Sequence, residues 1–221
     1  MNRRKTLMLL IFGVVFSLFS MSSVNATDFS FTGNFVNDND VQLFNFTVGA
    51  TSNAILETWS YAGGTNAAGQ VIPRGGFDPI LAVFDSTGAL VDYNDDGGPS
   101  HRTVDITGAA YDTWLSLPGL LAGDYIVAVT QYNNFPNGSN LSDGFLHDGP
   151  SGVNFTEALT GHTFGLFWDV TGDQRDGHWA FDILGVEQAS ETAVPEPATM
   201  LLLGSGLVGL AAVARRRFSK K

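Results

Sequence analysis

The chain has 221 residues, no cysteine, and 22 acidic against 11 basic residues. Without cysteine there is no disulfide, thiol nucleophile, Cys-ligated zinc or iron–sulfur cluster, so an apolar core must hold the fold. Three basic residues precede residue 26 and five follow residue 214, leaving Arg74, Arg102 and Arg175 against every carboxylate, a balance of −19 with no lysine between. Such a body repels nucleic acid and anionic lipid, which both require a positive surface.

Residues 1–26 read as a signal peptide: Arg3, Arg4 and Lys5 open it, Leu7 to Phe19 form its apolar stretch, and Val24-Asn25-Ala26 ends it. Signal peptidase is then expected to cut after Ala26. From 27 to 187 the pattern is that of β-strands. Phe44, Phe46 and Val48 alternate with Asn45 and Thr47, and the runs Pro79–Phe84, Tyr125–Thr130, Thr163–Trp168 and Trp179–Leu184 are rich in branched and aromatic residues. Gly63-Gly64, Asp95-Asp96-Gly97-Gly98 and Asn137-Gly138 supply turns between them. No stretch sustains helical periodicity over three turns. The expectation is an all-β ectodomain, an antiparallel β-sandwich of the jelly-roll kind. Residues 188–194 read as a short polar linker.

Two acidic clusters interrupt the strands. The first, Asp92-Tyr93-Asn94-Asp95-Asp96-Gly97-Gly98, places three carboxylates and an amide in a turn, and Asp78 and Asp85 bracket a neighbouring strand. Calcium takes six to eight oxygens of this type on a flexible loop, so Asp92, Asn94, Asp95, Asp96, Asp78 and Asp85 are candidate ligands for a calcium cofactor. The spacing is not that of an EF-hand. Asp169, Asp173 and Asp176 form a second candidate, with Arg175 placed to neutralise one of them. The alternative in both places is a turn whose Asp and Asn side chains bond their own backbone.

Catalytic motifs are missing from the body: His101, His147, His162 and His178 are scattered, and neither HExxH nor GxSxG occurs there. A glycoside hydrolase needs two carboxylates, and 22 offer too many pairs to choose from. The expected function is non-enzymatic. Trp59, Trp114, Trp168 and Trp179, with Tyr61, Tyr93, Tyr111 and Tyr132, allow a different reading, a stacking platform for extracellular polysaccharide. Core packing is the alternative for each ring, most of all for Trp168 and Trp179.

The chain closes on Pro195-Glu196-Pro197, the uncharged run 198–214, and Arg215-Arg216-Arg217 with Lys220 and Lys221 in the basic tail 215–221. Seventeen residues make a helix of about 26 Å, the short end of a membrane span. The basic tail would stay on the cytoplasmic side. This arrangement, over 195–221, resembles the PEP-CTERM sorting signal. The resemblance implies that exosortase recognises Pro195, Glu196 and Pro197, cuts near them, and leaves a membrane-anchored precursor's body at the cell surface or in the extracellular matrix. The class also belongs with exopolysaccharide-producing bacteria. A second series, Phe77–Asp85, Gly88–Val91, Asn94–Gly97 and Leu120–Val129, resembles the bacterial pre-peptidase C-terminal domain and a related family found ahead of PEP-CTERM anchors. That likeness implies a non-catalytic β-sandwich, in some members calcium-binding.

Overall fold

Alternation decides which side of each strand is buried. The computed structural model describes residues 26–162 and 165–192. Its strands are β1 (Thr27–Asn34), β2 (Gln42–Val48), β3 (Ser52–Thr58), the two-residue pair β4 (Gly64–Thr65) and β5 (Val71–Ile72), β6 (Pro79–Asp85), β7 (Leu90–Asn94), β8 (Trp114–Leu120), β9 (Gly123–Gln131), β10 (His178–Val186) and β11 (Gln188–Glu191). One helix longer than a 3₁₀ turn, α1 (Phe155–Thr160), is present among the described residues. The strands form a four-stranded sheet, β1-β10-β3-β8, and a five-stranded sheet, β11-β2-β9-β6-β7, with β4 and β5 as a small separate ribbon. Every strand pair is antiparallel. The all-β sandwich expected from the sequence is the architecture found.

Between the sheets, Phe44, Phe46, Leu81, Val83, Val127 and Val129 of one layer meet Leu56, Leu115, Trp179, Phe181 and Ile183 of the other. Phe44 and Trp179 cross the interface edge-on, ring centres 5.7 Å apart, a preferred aromatic geometry. A sheet with one wet face needs strict alternation, yet β6 and β9 are apolar on both faces. The reason is a second, outer cluster in which Phe145 and Leu141 of the 132–162 excursion cover Ala82, Phe84, Ala128 and Ile126.

Two expectations are corrected. Residues 188–191 are not linker: Gln188, Ala189, Ser190 and Glu191 pair with Thr47, Phe46, Asn45 and Phe44, and Thr192 N–H donates to Leu43 O at 2.9 Å. Without them β2 would present an open edge, and pairing satisfies its backbone groups. The fold therefore continues to Thr192. The run 163–168 is not a strand over its described part. Phe167 has φ +62, and Trp168 makes one bridge to Gln174. Its apolar content plugs the end of the core instead, with the Phe167 ring stacked 5.7 Å from Phe77.

No helix among the described residues is long and apolar enough to cross a membrane. The expected signal peptide, up to Asn25, and the expected span 198–214 lie outside the described residues.

Candidate functional site

Connectivity gives the sandwich two unlike ends. At the turn end, β2–β3, β6–β7, β8–β9 and β10–β11 are joined by at most four residues, and β1 begins there opposite Val186. At the loop end lie the long excursions 35–41, 59–78, 95–113 and 132–177, together with the departure of the chain at Thr192. All three arginines of the body and both acidic clusters, except Asp85, Asp92 and the β7 residue Asn94, belong to loop-end segments.

One local device recurs in Asp85-Ser86-Thr87-Gly88, Asp105-Ile106-Thr107-Gly108 and Asp169-Val170-Thr171-Gly172. In each, the Asp carboxylate accepts from the Thr N–H and the Thr hydroxyl, and the Gly N–H closes the turn onto the Asp carbonyl. The glycines stand at φ +87, +91 and +86, which a Cβ disfavours. The Thr87 hydroxyl, with the Thr87 and Ala89 N–H groups, holds the Asp85 carboxyl below the usual range. Asp85 and Asp169 thus shape turns.

Asp169 is also saturated. Its two oxygens take five donors: Thr171 N, Thr171 Oγ1, Asp173 N, Tyr61 OH and Arg175 Nε. Asp176 faces solvent and pairs with His178, and Asp173 reaches Arg175 only at 4.0 Å. The second candidate metal cluster is therefore a closed ion-pair network, not a set of free ligands. Arg175 also bonds Asp105, which Arg74 grips through Nε and Nη2 at 2.7 and 2.9 Å. The Arg74 hydrogen bonds hold the Asp105 carboxyl well below the usual range. Arg102 is spent on Glu57 and on the Thr58 carbonyl, with its guanidinium 3.8 Å over the Trp59 ring.

The first cluster is divided by the sheet. Asp78 and Asp85 lie at opposite ends of β6, about 23 Å apart at strand rise. Asp92 sits opposite Val83, toward the turn end. Asp85 and Asp92 therefore do not join Asp78, and Asn94 is engaged through Nδ2 with the carbonyls of Asp96 and Trp114. Asp78, Asp95 and Asp96 do share one corner. The Thr113 hydroxyl contacts both the Pro79 and the Asp95 carbonyl, tying the two segments together. Asp78 is 4% exposed and, among the described residues, its Oδ1 has no partner. Burial, then the neighbouring Asp96 and Asp95 charges, push its carboxyl well above the usual range. Burial and Asp95 raise Asp96 to about 6. The corner supplies an orphaned oxygen and excess negative charge. It does not supply a finished coordination shell: among the described residues no three His, Asp or Glu side chains are gathered to hold a metal ion.

The aromatic candidates also divide. Trp179 and Tyr61 are core, Trp59 is covered by Arg102, Trp114 stacks on His101 and Trp168 on His162. Tyr93 on β7 remains 49% exposed, edge-on to Phe135, which in turn meets Tyr132. Phe135 was not among the rings singled out from sequence, because nothing local marks its position beside Tyr93.

The segment beyond Thr192 decides where the protein goes. Residues 193–217 match the PEP-CTERM protein-sorting motif. The tail is similar to a PEP-CTERM sorting motif. It contains all six expected sorting residues, Pro195, Glu196, Pro197, Arg215, Arg216 and Arg217, which lie outside the described residues. A PEP-CTERM motif marks an exported protein, sorted by exosortase to the cell envelope or surface. The match covers the tail alone, and no curated protein matches the chain.

Proposed function

We propose that the protein is a non-catalytic β-sandwich displayed at the cell surface or in the extracellular matrix, after exosortase cuts near Pro195-Glu196-Pro197. The observation that carries this reading is adjacency. Among the described residues the last backbone hydrogen bond of the sandwich is made by Thr192, and the sorting motif starts at residue 193. A cut at the Pro-Glu-Pro segment detaches the tail without removing any of the described strands. The non-catalytic part is supported by what the buried carboxylates do. Asp38 holds the start of α1 through Asn154 N, Thr156 N and Thr156 Oγ1, and Asp112 holds Tyr61 N, Ala62 N and Thr58 Oγ1. Replacing Pro195, Glu196 and Pro197 with alanine is expected to leave the full-length precursor in the membrane fraction. Arrival of that variant at the surface at the normal length would overturn the sorting assignment.

Calcium belongs to the same reading, at Asp78, Asp95 and Asp96, three of the six residues of the first cluster marked in the sequence. The orphaned Asp78 oxygen favours it, since a buried carboxylate without a partner is costly unless a cation or a proton meets it. When bound, the ion would neutralise this corner and tie β6 to the 95–113 loop. Polysaccharide binding is the second reading, and the exposed ring of Tyr93 beside Phe135 and Tyr132 favours it. Tyr93→Ala should then abolish retention of the protein on the matrix glycan of the producing cells, whereas unchanged retention would remove this platform from consideration.

A further inference from the structure

β7 and β8 are the outermost strands of their sheets on the same side of the sandwich. Near the turn end they leave a cleft of about 420 Å³. Leu117 and the Tyr125 ring, both buried, form its floor, and Val91 and Leu121, 42% and 68% exposed, stand on its rim. Asp85 and Asp92 line it as well. Asp92 lies opposite Val83, a core residue, so its side chain is on the inner face of the edge strand.

Among the described residues none supplies a cation here. Lysine is absent between residues 27 and 197, and Arg74, Arg102 and Arg175 are each committed to carboxylates of the loop end. Among the described residues Asp92 bonds only the N–H of its neighbour Tyr93, and Asp85 keeps Oδ2 free of the turn it closes. An apolar floor beside two unneutralised carboxylates selects for charge and shape together.

We propose that this cleft is a binding site for a small organic cation, a protonated amine carried on an apolar body. The ammonium group sits between Asp85 and Asp92, and the apolar body covers Leu117, Leu121 and Tyr125. The volume falls within the range of small-molecule sites. The cleft lies at the end opposite Thr192, the residue that leads into the sorting motif. The competing account is that Asp92 merely guards an exposed edge, since an inward charge there discourages strand-to-strand association.

The test is an amide chemical-shift titration of the full chain in nonionic detergent with phenethylamine, and with phenethyl alcohol as the uncharged match. The site predicts shifts confined to Asp85, Val91, Asp92, the segment Ser116–Leu121 and Tyr125. It predicts binding at least tenfold weaker for the alcohol, and at least tenfold weaker for the amine in Asp92→Asn and in Leu121→Ser. An unchanged spectrum away from the cleft lining, which includes Asp85 and Tyr125, shows that each variant is folded. Absence of cleft shifts, an equal response to the alcohol, or undiminished binding in Asp92→Asn overturns the proposal and leaves Asp92 as an edge guard.

Discussion

Arg175 lies 3.6 Å over the ring of Tyr61, and both residues donate to the same oxygen, Asp169 Oδ2, the arginine through Nε at 3.0 Å and the phenol at 2.6 Å. The contact joins the loop after β3 to the loop before β10, which are otherwise far apart in the chain. Its members are buried, so removing one leaves the others uncompensated. Asp169→Ala is expected to destabilise the sandwich by about 3–5 kcal/mol, the usual cost of breaking a buried pair. Tyr61→Phe, which loses one bond to a charged group, should cost about 1.5–3 kcal/mol. Urea unfolding of the exported protein measures both, and a loss below about 1 kcal/mol for Asp169→Ala would mean that the network does not hold the loop end.

Close packing also fixes a backbone position. A Cβ at Gly33 would stand 2.2 Å from the Trp179 ring, whose six-membered portion lies across β1. Gly33→Ala has to push this core tryptophan aside, and overpacking of this kind costs about 1–3 kcal/mol. Near-ultraviolet circular dichroism should change with it, because Trp179 also packs on Phe35 and Phe44.

The Asp78 corner predicts an unusual pH response. A carboxyl whose folded pKa lies above its unfolded value binds a proton more tightly in the fold, so its contribution is fully present below the unfolded value and is lost as pH rises through the folded one. Asp96, raised to about 6, should therefore lower stability as pH rises from about 4 through about 6 in chelator, with Asp78 adding in the same direction. Asp105 and Asp169, held low, act oppositely and lose their contribution on acidification. Comparing melting temperature against pH for the wild type and Asp96→Asn isolates the first effect. An identical slope in the two proteins would contradict it.

Calcium and Asp78 can be separated in one experiment. At ten times its dissociation constant, calcium bound only to the folded state stabilises by about 1.4 kcal/mol, a rise of about 3–6 °C for a domain of this size. Asp78→Asn removes the unpartnered carboxyl without changing shape, so in EDTA its stability should fall less than the wild type's as pH rises, and it should no longer respond to calcium. Equal melting of the wild type in EDTA and calcium would leave the corner to protons alone.

How far the residues announced this arrangement depends on range. Phe44-Asn45-Phe46-Thr47-Val48 declares its buried face by alternation, and the structure buries the three apolar members. Pro79–Phe84 was readable as a strand, but not that Phe145 would cover its outer face, because that contact joins residues about 60 positions apart. Gln188–Glu191 carries no strand signal: its side chains are polar or small, and β2's open edge recruits it through backbone pairing, with Ala189 packed against the core. For the site, the seven-residue separation along β6 already places Asp78 and Asp85 at opposite ends of a strand, and strand rise was sufficient to part them. The recurrence of Asp-x-Thr-Gly was present three times and identifies Asp85 and Asp169 as turn formers. The orphaned Asp78 oxygen could not be foreseen, since it depends on how Thr113 draws β6 and the 95–113 loop together.

The most direct measurement is the intact mass of the protein recovered outside the cell. The account predicts a chain that begins near Thr27 and ends at or close to Pro195-Glu196-Pro197, keeping β11 and lacking residues 198–221. An extracellular protein that still carries residues 198–221 would contradict it.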